Sequence, residues 1–172
     1  MDIYLIRHTA VAVPPGTCYG QQDVGLAKSF PQEAAQVRER LRLLGPADAC
    51  YTSPLRRCTQ LAKACGYGQA TRDRRLMEIS YGAWEGRPWR TIDMGPYATH
   101  WDEVAPPQGE SAQELLARVV AFFQELTAQP YGRTFVFTHG GVIACAVAHF
   151  RHIALREAFK LHIGHGEVVQ VQ

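Results

Sequence analysis

The sequence has no hydrophobic run long enough to cross a membrane. Its longest apolar stretches, 135–137 and 142–147, fall far short of the roughly 20 residues that a spanning helix needs. Charge of one sign is also lacking, since 18 Lys and Arg residues stand against 16 Asp and Glu residues, for a net charge of +2. This excludes the dense basic face of a nucleic-acid-binding protein. We expect neither a membrane nor a nucleic acid as partner.

The cysteine pattern excludes two further classes of protein. The five cysteines are odd in number and are never spaced as C-x-x-C, which disfavours a disulfide framework and a zinc ribbon. The N-terminus has Asp2 followed by a strand-like segment, 3–6, without the basic and apolar regions of a secretory signal. We therefore expect a cytoplasmic protein with reduced thiols, no cofactor and no metal.

What is present is typical of one globular domain. The chain has 172 residues, of which 47% are apolar and 20% charged, enough to build a single core. Hydrophobic periodicity predicts two strand and helix pairs in the first half of the chain. These are a strand at 3–6, a helix at 31–44, a strand at 48–52 and a helix at 55–65, with Ser53 as N-cap and Pro54 as a helix-starting residue.

The second half begins with an irregular segment. Residues 70–107 are rich in turn residues and aromatics, and we expect them to form an insertion that covers the site. A periodic helix at 111–128, a strand at 134–138, a helix after His139 and an edge strand at 168–171 follow. We predict one domain, 1–172, folded as a three-layer α/β/α sandwich with a mostly parallel sheet. The edge strand leaves the oligomeric state open, a dimer included.

Two histidines follow predicted strands in the same way. His8 comes directly after the strand at 3–6, and His139 after the strand at 134–138. If these strands are parallel neighbours, both imidazoles emerge at one sheet edge, where α/β proteins bind ligands. Gly140 and Gly141 let the backbone approach a ligand, and the helix that they open directs free N–H groups at an anion. The arrangement predicts a phosphate cradle.

Arginines lie beside the same two strands. Arg7 adjoins His8, and Arg56 and Arg57 follow the strand at 48–52. Guanidinium groups bind phosphate through two hydrogen bonds at once. A pocket with two imidazoles and two guanidiniums is strongly positive, and the same field favours a neutral, nucleophilic imidazole.

A proton donor for the departing oxygen is available in the segment 76–86. Glu78 and Glu85 both lie there among aromatic residues, and the residues alone do not choose between them. The remaining histidines, including His165, are interpreted as surface or core residues. Asp102 and Glu110 are interpreted as surface or capping residues.

Taken together, these motifs resemble the histidine phosphatase superfamily, the phosphoglycerate-mutase-like fold. The carrying segments are Leu-Ile-Arg-His-Thr at 5–9, Ser-Pro-Leu-Arg-Arg-Cys-Thr-Gln-Leu-Ala at 53–62, the acidic segment 78–86, Gly-Glu-Ser at 109–111 and Thr-His-Gly-Gly at 138–141. They occur in the family's order and span most of the chain.

The resemblance implies a role for each matching residue. His8 is the nucleophile that becomes phosphorylated, Glu78 the proton donor, and His139 the second catalytic histidine. Arg7, Arg57 and His139 form the phosphate pocket with Gly140, and Arg56 falls at a variable position.

Two departures from the family pattern concern the first motif. Thr9 stands where the family usually has Gly, and Ala10-Val11 replaces its acidic and hydroxyl pair. An Asn common a few positions later has no counterpart, and we expect Thr17 or Thr9 to replace its contact.

The leaving group is suggested by the loop that follows. Residues 18–24, Cys-Tyr-Gly-Gln-Gln-Asp-Val, look most like those of the bacterial α-ribazole phosphatases of cobalamin synthesis, which implies α-ribazole 5′-phosphate as substrate, with Tyr19 and Gly20 beside it. The alternatives are a phosphoglycerate mutase, a broad sugar-phosphate phosphatase and a phosphate-binding module without activity.

Overall fold

A computed structural model describes residues 1–172, which form a five-stranded sheet with helices on both faces. The strands are β1 (Asp2–Arg7), β2 (Ala49–Thr52), β3 (Thr71–Arg72), β4 (Arg133–Thr138) and β5 (Val168–Gln170). The sheet order is β3-β2-β4-β1-β5, with β5 alone antiparallel to its neighbour. The helices are α1 (Phe30–Leu44), α2 (Arg56–Ala64), α3 (Tyr97–His100), α4 (Ala112–Thr127), α5 (Gly140–Arg151) and α6 (Leu155–Ala158). The predicted α/β sandwich with a mostly parallel sheet is confirmed.

The alternation of side chains along β1 builds two cores. Ile3 and Leu5 pack with α4 and α5 on one face of the sheet. Tyr4 and Ile6 pack with α1 and α2 on the other. Successive strand residues point to opposite faces, and all four side chains are buried, as a central strand covered on both sides requires.

Helix α4 begins where the sequence predicts, directly after Ser111. Ser111 Oγ accepts a hydrogen bond from the Glu114 N–H at 3.2 Å, and Glu114 Oε2 accepts one from the Ser111 N–H at 2.7 Å. This reciprocal capping box satisfies two backbone donors that a helix start leaves free.

The predicted cap of α2 is wrong. Leu55 occupies the N-cap, and no side chain caps the helix. Ser53 lies two residues earlier, fully buried, and its hydroxyl instead meets His139. The hydroxyl is therefore part of the site, and at the start of α2 it accepts only from the N–H of the N-cap residue Leu55, at 3.3 Å.

The segment 70–107 contains one strand that the sequence analysis did not predict, β3. It pairs with β2 over two residues only, and both are exposed. Its other regular elements are α3 and three short 3₁₀ turns, Arg74–Leu76, Gly82–Trp84 and Trp89–Thr91. The segment contributes a third core in which Trp84 packs with Cys18, Ile92 and Tyr97.

Two acidic residues interpreted as surface or capping residues are instead paired within the protein. Asp102 is buried and binds the Arg156 guanidinium. Glu110 does not cap α4; it pairs with Arg118 at 2.5 Å and accepts a hydrogen bond from the Ser80 N–H at 2.9 Å.

No helix in the structure has the length and apolar character that crossing a membrane demands.

Candidate active site

Strand register brings the two histidines together. Strands β1 and β4 are parallel, with Arg7 opposite Thr138, so that the residue after each strand emerges at the same sheet edge. The ring centroids of His8 and His139 are 5.2 Å apart. Both side chains are almost completely buried, and the site is therefore built into the end of the sheet.

His8 presents one ring nitrogen with a free lone pair. Its Nδ1 lies 2.7 Å from the Thr9 carbonyl oxygen, which can only accept, so Nδ1 carries the proton and Nε2 does not. Burial lowers the pKa of His8 well below its usual 6.5, with further lowering by Arg57 and Arg7. A neutral imidazole with an unprotonated Nε2 is the nucleophilic form.

Two side chains hold His139 in place, Arg57 on α2 and Ser53 just before that helix. Arg57 Nε donates to His139 Nδ1 at 3.2 Å, and His139 Nε2 donates to Ser53 Oγ at 2.8 Å. The Cys58 thiol lies 3.4 Å from the same Nε2. Burial, followed by the charge of Arg57, lowers the pKa of His139 well below 6.5. Because protein groups engage both ring nitrogens, direct contact of His139 with a phosphate requires one of these two hydrogen bonds to be given up, and the Nε2–H is the ring donor.

Arg57 is a fully buried cation without an acidic partner. It donates to His139, to the Gly20 carbonyl at 2.6 Å and to the Gln22 carbonyl at 2.9 Å. A guanidinium has five N–H groups, so donors remain. None of the ion pairs of the protein includes Arg57. An uncompensated buried charge is expensive, and this position is therefore prepared for an anion.

Arg7 supplies a second cation near His8. One of its terminal nitrogens donates to the Ile163 carbonyl, while its Nε is buried and makes no hydrogen bond. A Cβ on Gly140 would lie 3.5 Å from that Nε. The free donor therefore faces the first turn of α5, where helix N–H groups also favour an anion.

The two candidate proton donors are in different situations. Glu78 accepts hydrogen bonds from the Ile79 N–H at 3.0 Å and the Gly141 N–H at 3.3 Å, and it lines an open cleft. Glu85 Oε1 accepts from the N–H groups of Gln21 and Tyr81 at 2.9 and 3.0 Å. Glu85 thus fastens two loops together and is absent from the cleft lining.

The cleft beside Glu78 has a volume of about 210 Å³. It contains three of the residues predicted to contact substrate, Thr17, Tyr19 and Gly20. Tyr19 also stacks against the Arg57 guanidinium, 5.3 Å from the ring centroid. The fourth predicted residue, Thr9, is fully buried outside the cleft, and its hydroxyl makes no hydrogen bond.

Sequence reasoning missed two residues that contribute to the site. His165 has its ring centroid 5.4 Å from that of His8. Arg118 donates to the carbonyls of Arg75, Met77 and Glu78 at 2.6, 2.7 and 3.0 Å, and so fixes the backbone that carries Glu78. The one available signal for His165 was its position between two glycines just before β5, the strand that pairs with β1.

The chain is similar in sequence to a known protein family. A sequence model of the histidine phosphatase superfamily (branch 1) matches residues 3–172. The chain belongs to this superfamily. The resemblance predicted from its motifs is confirmed, and the protein is a phosphatase of the histidine phosphatase superfamily.

Three relatives illustrate the range of named activities. A probable phosphoglycerate mutase of Enterobacter sp. (strain 638) is 32% identical over 165 residues, covering 86% of this chain and 74% of that protein. The structure of a mycobacterial glucosyl-3-phosphoglycerate phosphatase is 26% identical, with a TM-score of 0.86 over 98% of this chain and 88% of the other. The α-ribazole phosphatase of Shigella flexneri has a TM-score of 0.89 over 99% and 89% of the two chains but only 21% identity, and it shows the shared fold alone.

Proposed function

We propose that this protein hydrolyses a phosphomonoester through a phosphohistidine on His8. The observation that carries the proposal is the pair of arginines without acidic partners, Arg7 and Arg57, beside an imidazole whose Nε2 is unprotonated. These groups, with His139 and the Gly140 N–H, bind the phosphoryl group and stabilise the charge that it carries in the transition state.

The reaction has two displacements. In the first, His8 Nε2 forms a bond to phosphorus, the ester P–O bond breaks, and protonated Glu78 gives its proton to the departing oxygen. In the second, water attacks the phosphohistidine, Glu78 takes the proton, and His8 and inorganic phosphate are released. The position of Glu78 at the cleft, and the engagement of Glu85 elsewhere, support Glu78 as the acid.

For the substrate we propose α-ribazole 5′-phosphate, converted in the cytoplasm. The loop at 18–24 is the support for this choice, since Tyr19 and Gly20 line the cleft and Arg57 binds the carbonyls of Gly20 and Gln22. We assign the contact of the missing Asn to Thr17, because Thr17 lines the cleft and Thr9 does not. The five free cysteines fit a reducing compartment.

A phosphoglycerate mutase is the second candidate, favoured by the 32% identical relative that is named as one. A mutase would pass the phosphoryl group between hydroxyls of one substrate instead of to water. Product analysis with 3-phosphoglycerate separates the two functions, because only hydrolysis releases inorganic phosphate in proportion to the substrate consumed.

The test is phosphate release from α-ribazole 5′-phosphate, 3-phosphoglycerate and simple sugar phosphates in the presence of a chelator, by the wild type and by His8→Ala. We expect α-ribazole 5′-phosphate to be preferred and the variant to lose roughly 10⁴-fold or more in rate. His100→Ala, a change at an exposed histidine, is the matched control. Wild-type rates in His8→Ala would remove the phosphohistidine mechanism.

A further inference from the structure

A second cavity opens directly from the catalytic cleft. It has a volume of about 370 Å³ and shares four lining residues with the cleft, Ile79, Tyr81, Trp89 and Phe159. Together with Met94, Tyr97, Ala98 and Trp101 they line what we call the aromatic chamber. The chamber therefore adjoins the part of the cleft that Glu78 and Gly141 line, whereas His8 itself is buried behind the lining of both cavities.

The chamber has no charged lining. All eight of its lining residues are hydrophobic. The Arg156 guanidinium lies over the Trp101 ring at 5.6 Å, but it is not among the lining residues and its charge is already paired with Asp102. A carboxylate on the leaving group would thus lose water in the chamber without gaining a cationic partner, which is unfavourable.

The walls are already assembled. Tyr81 and Trp89 meet edge to face with centroids 4.9 Å apart, and Trp101 and Phe159 pack at the same separation. Such pairs fix ring orientation. Met94 is the flexible part of the lining, 36% exposed, and an unbranched thioether adapts its shape to a bound ring.

We infer that the aromatic chamber binds a planar apolar ring carried by the leaving alcohol and selects against leaving groups that carry a carboxylate. This inference rests on the proposed function, because the ring reaches the chamber only from a phosphate held at His8. It separates this chain from the relatives whose names contain phosphoglycerate.

The experiment uses phosphate esters of primary alcohols, so that the leaving oxygens have similar basicity. Phosphate release is compared for 2-(1-naphthyl)ethyl phosphate, butyl phosphate and 3-phosphoglycerate. Burying such a ring removes on the order of 100 Å² of apolar surface from water, and we expect kcat/KM for the naphthyl ester to exceed that for the butyl ester by at least about tenfold.

Two substitutions in the chamber test its part in that preference. Trp89→Ala should reduce the naphthyl-to-butyl ratio about fivefold to tenfold. Met94→Lys should lower the same ratio and raise the relative rate with 3-phosphoglycerate, because it places a cation at the chamber. Leu43→Lys changes an apolar residue that is 72% exposed on α1 and should leave every ratio unchanged.

Binding to His8→Ala, measured by calorimetry, separates failure of the chamber from failure of the chemistry. Tighter binding of the naphthyl ester without turnover by the wild type would overturn the proposed function and keep the chamber. Equal turnover of naphthyl and butyl esters, with ratios unaffected by Trp89→Ala, would overturn the chamber and keep the function.

Discussion

The site is made of two regions that are held in place by different means. The floor, defined as His8, Arg57 and His139, lies at the ends of regular elements and is 0–1% exposed. The wall, residues 76–101, is built from short turns and a four-residue helix, α3. Burial against a packed sheet fixes the floor, whereas the buried residues of the wall join the main core only through Leu76 and Ile79 and otherwise pack in the small cluster around Trp84.

Polar side chains from elsewhere secure the wall. Glu85 Oε1 accepts backbone hydrogen bonds from both Gln21 and Tyr81, and Glu110 accepts one from the Ser80 N–H. Arg118 reaches from α4 to the carbonyls of Arg75, Met77 and Glu78, at the start of the wall and just before it. Such bonds position a loop that has only a small core of its own, since buried backbone groups must be paired.

The difference teaches where each part of the reaction is controlled. The floor contains the proposed nucleophile, His8, and the buried cation Arg57 that faces the phosphate of any phosphomonoester. The wall contains the Glu78 carboxylate and the apolar surface that meets the leaving group. Changes in the wall can therefore alter specificity without disturbing phosphate binding.

Among changes that distinguish the wall from the floor, Glu78→Gln should have the largest effect on the reaction rate. It removes the proposed proton donor, and we expect kcat for an alkyl phosphate to fall about 10²- to 10³-fold. With p-nitrophenyl phosphate the loss should be much smaller, because that leaving group departs without a proton. Both values come from steady-state phosphate release.

Glu85→Gln is the matched comparison within the same segment. It weakens the loop contacts with Gln21 and Tyr81, so we expect both substrates to be affected alike. A selective loss with alkyl phosphates in Glu85→Gln, and none in Glu78→Gln, would exchange the two roles.

The two catalytic-site histidines and the residues around them show what the sequence could and could not predict. The alternation in β1 and the motifs at strand ends placed His8 and His139 at one edge, because strand period and parallel pairing are local rules. Arg118 was missed because it contacts Glu78 from 40 residues away in the chain, and His165 because it lies 157 residues from His8. Neither residue lies in a local sequence pattern. The two-residue strand β3, exposed on both faces, had no periodicity to read.

The assignment of Ser53 failed for a related reason. A serine before a proline at the start of a helix is a common N-cap pattern. Tertiary contact with His139 overrides it, because a buried imidazole N–H needs an acceptor.

Arg118→Ala tests whether the wall depends on polar anchoring. The substitution leaves the carbonyls of Arg75, Met77 and Glu78 without their donor, and we expect a loss of about 2–3 kcal/mol in the free energy of unfolding. Urea denaturation measures it, with Arg42→Ala on the exposed face of α1 as control. A wall held mainly by apolar packing would show less than about 0.5 kcal/mol.

In the folded fraction of Arg118→Ala, the rate with alkyl phosphates should fall more than the rate with p-nitrophenyl phosphate. This follows because the displaced backbone carries Glu78, whereas the floor does not contact Arg118. Equal losses with both substrates would mean that the floor and the wall move together.

The smallest predicted effect concerns the floor alone and appears in the pH dependence of stability. Burial depresses the pKa values of His8 and His139 below 6.5 in the folded protein, whereas the unfolded chain keeps the ordinary value of about 6.5. Stability from these groups is therefore full above about pH 6.5 and is lost as the pH falls below it, because the unfolded state binds the protons first. Each histidine contributes a slope of about 1.4 kcal/mol per pH unit.

Replacing His8 with Asn removes one of the two contributions, so below about pH 6.5 the unfolding free energy of the variant should fall less steeply than that of the wild type, by about 1.4 kcal/mol per pH unit. Carboxylates that titrate in the same range act in both proteins and cancel in the difference. Above about pH 7.5 the two curves should run parallel, which serves as an internal control. Parallel curves down to about pH 5 would mean that His8 takes up its proton alike in the folded and unfolded states, so that burial does not keep the imidazole neutral below about pH 6.5.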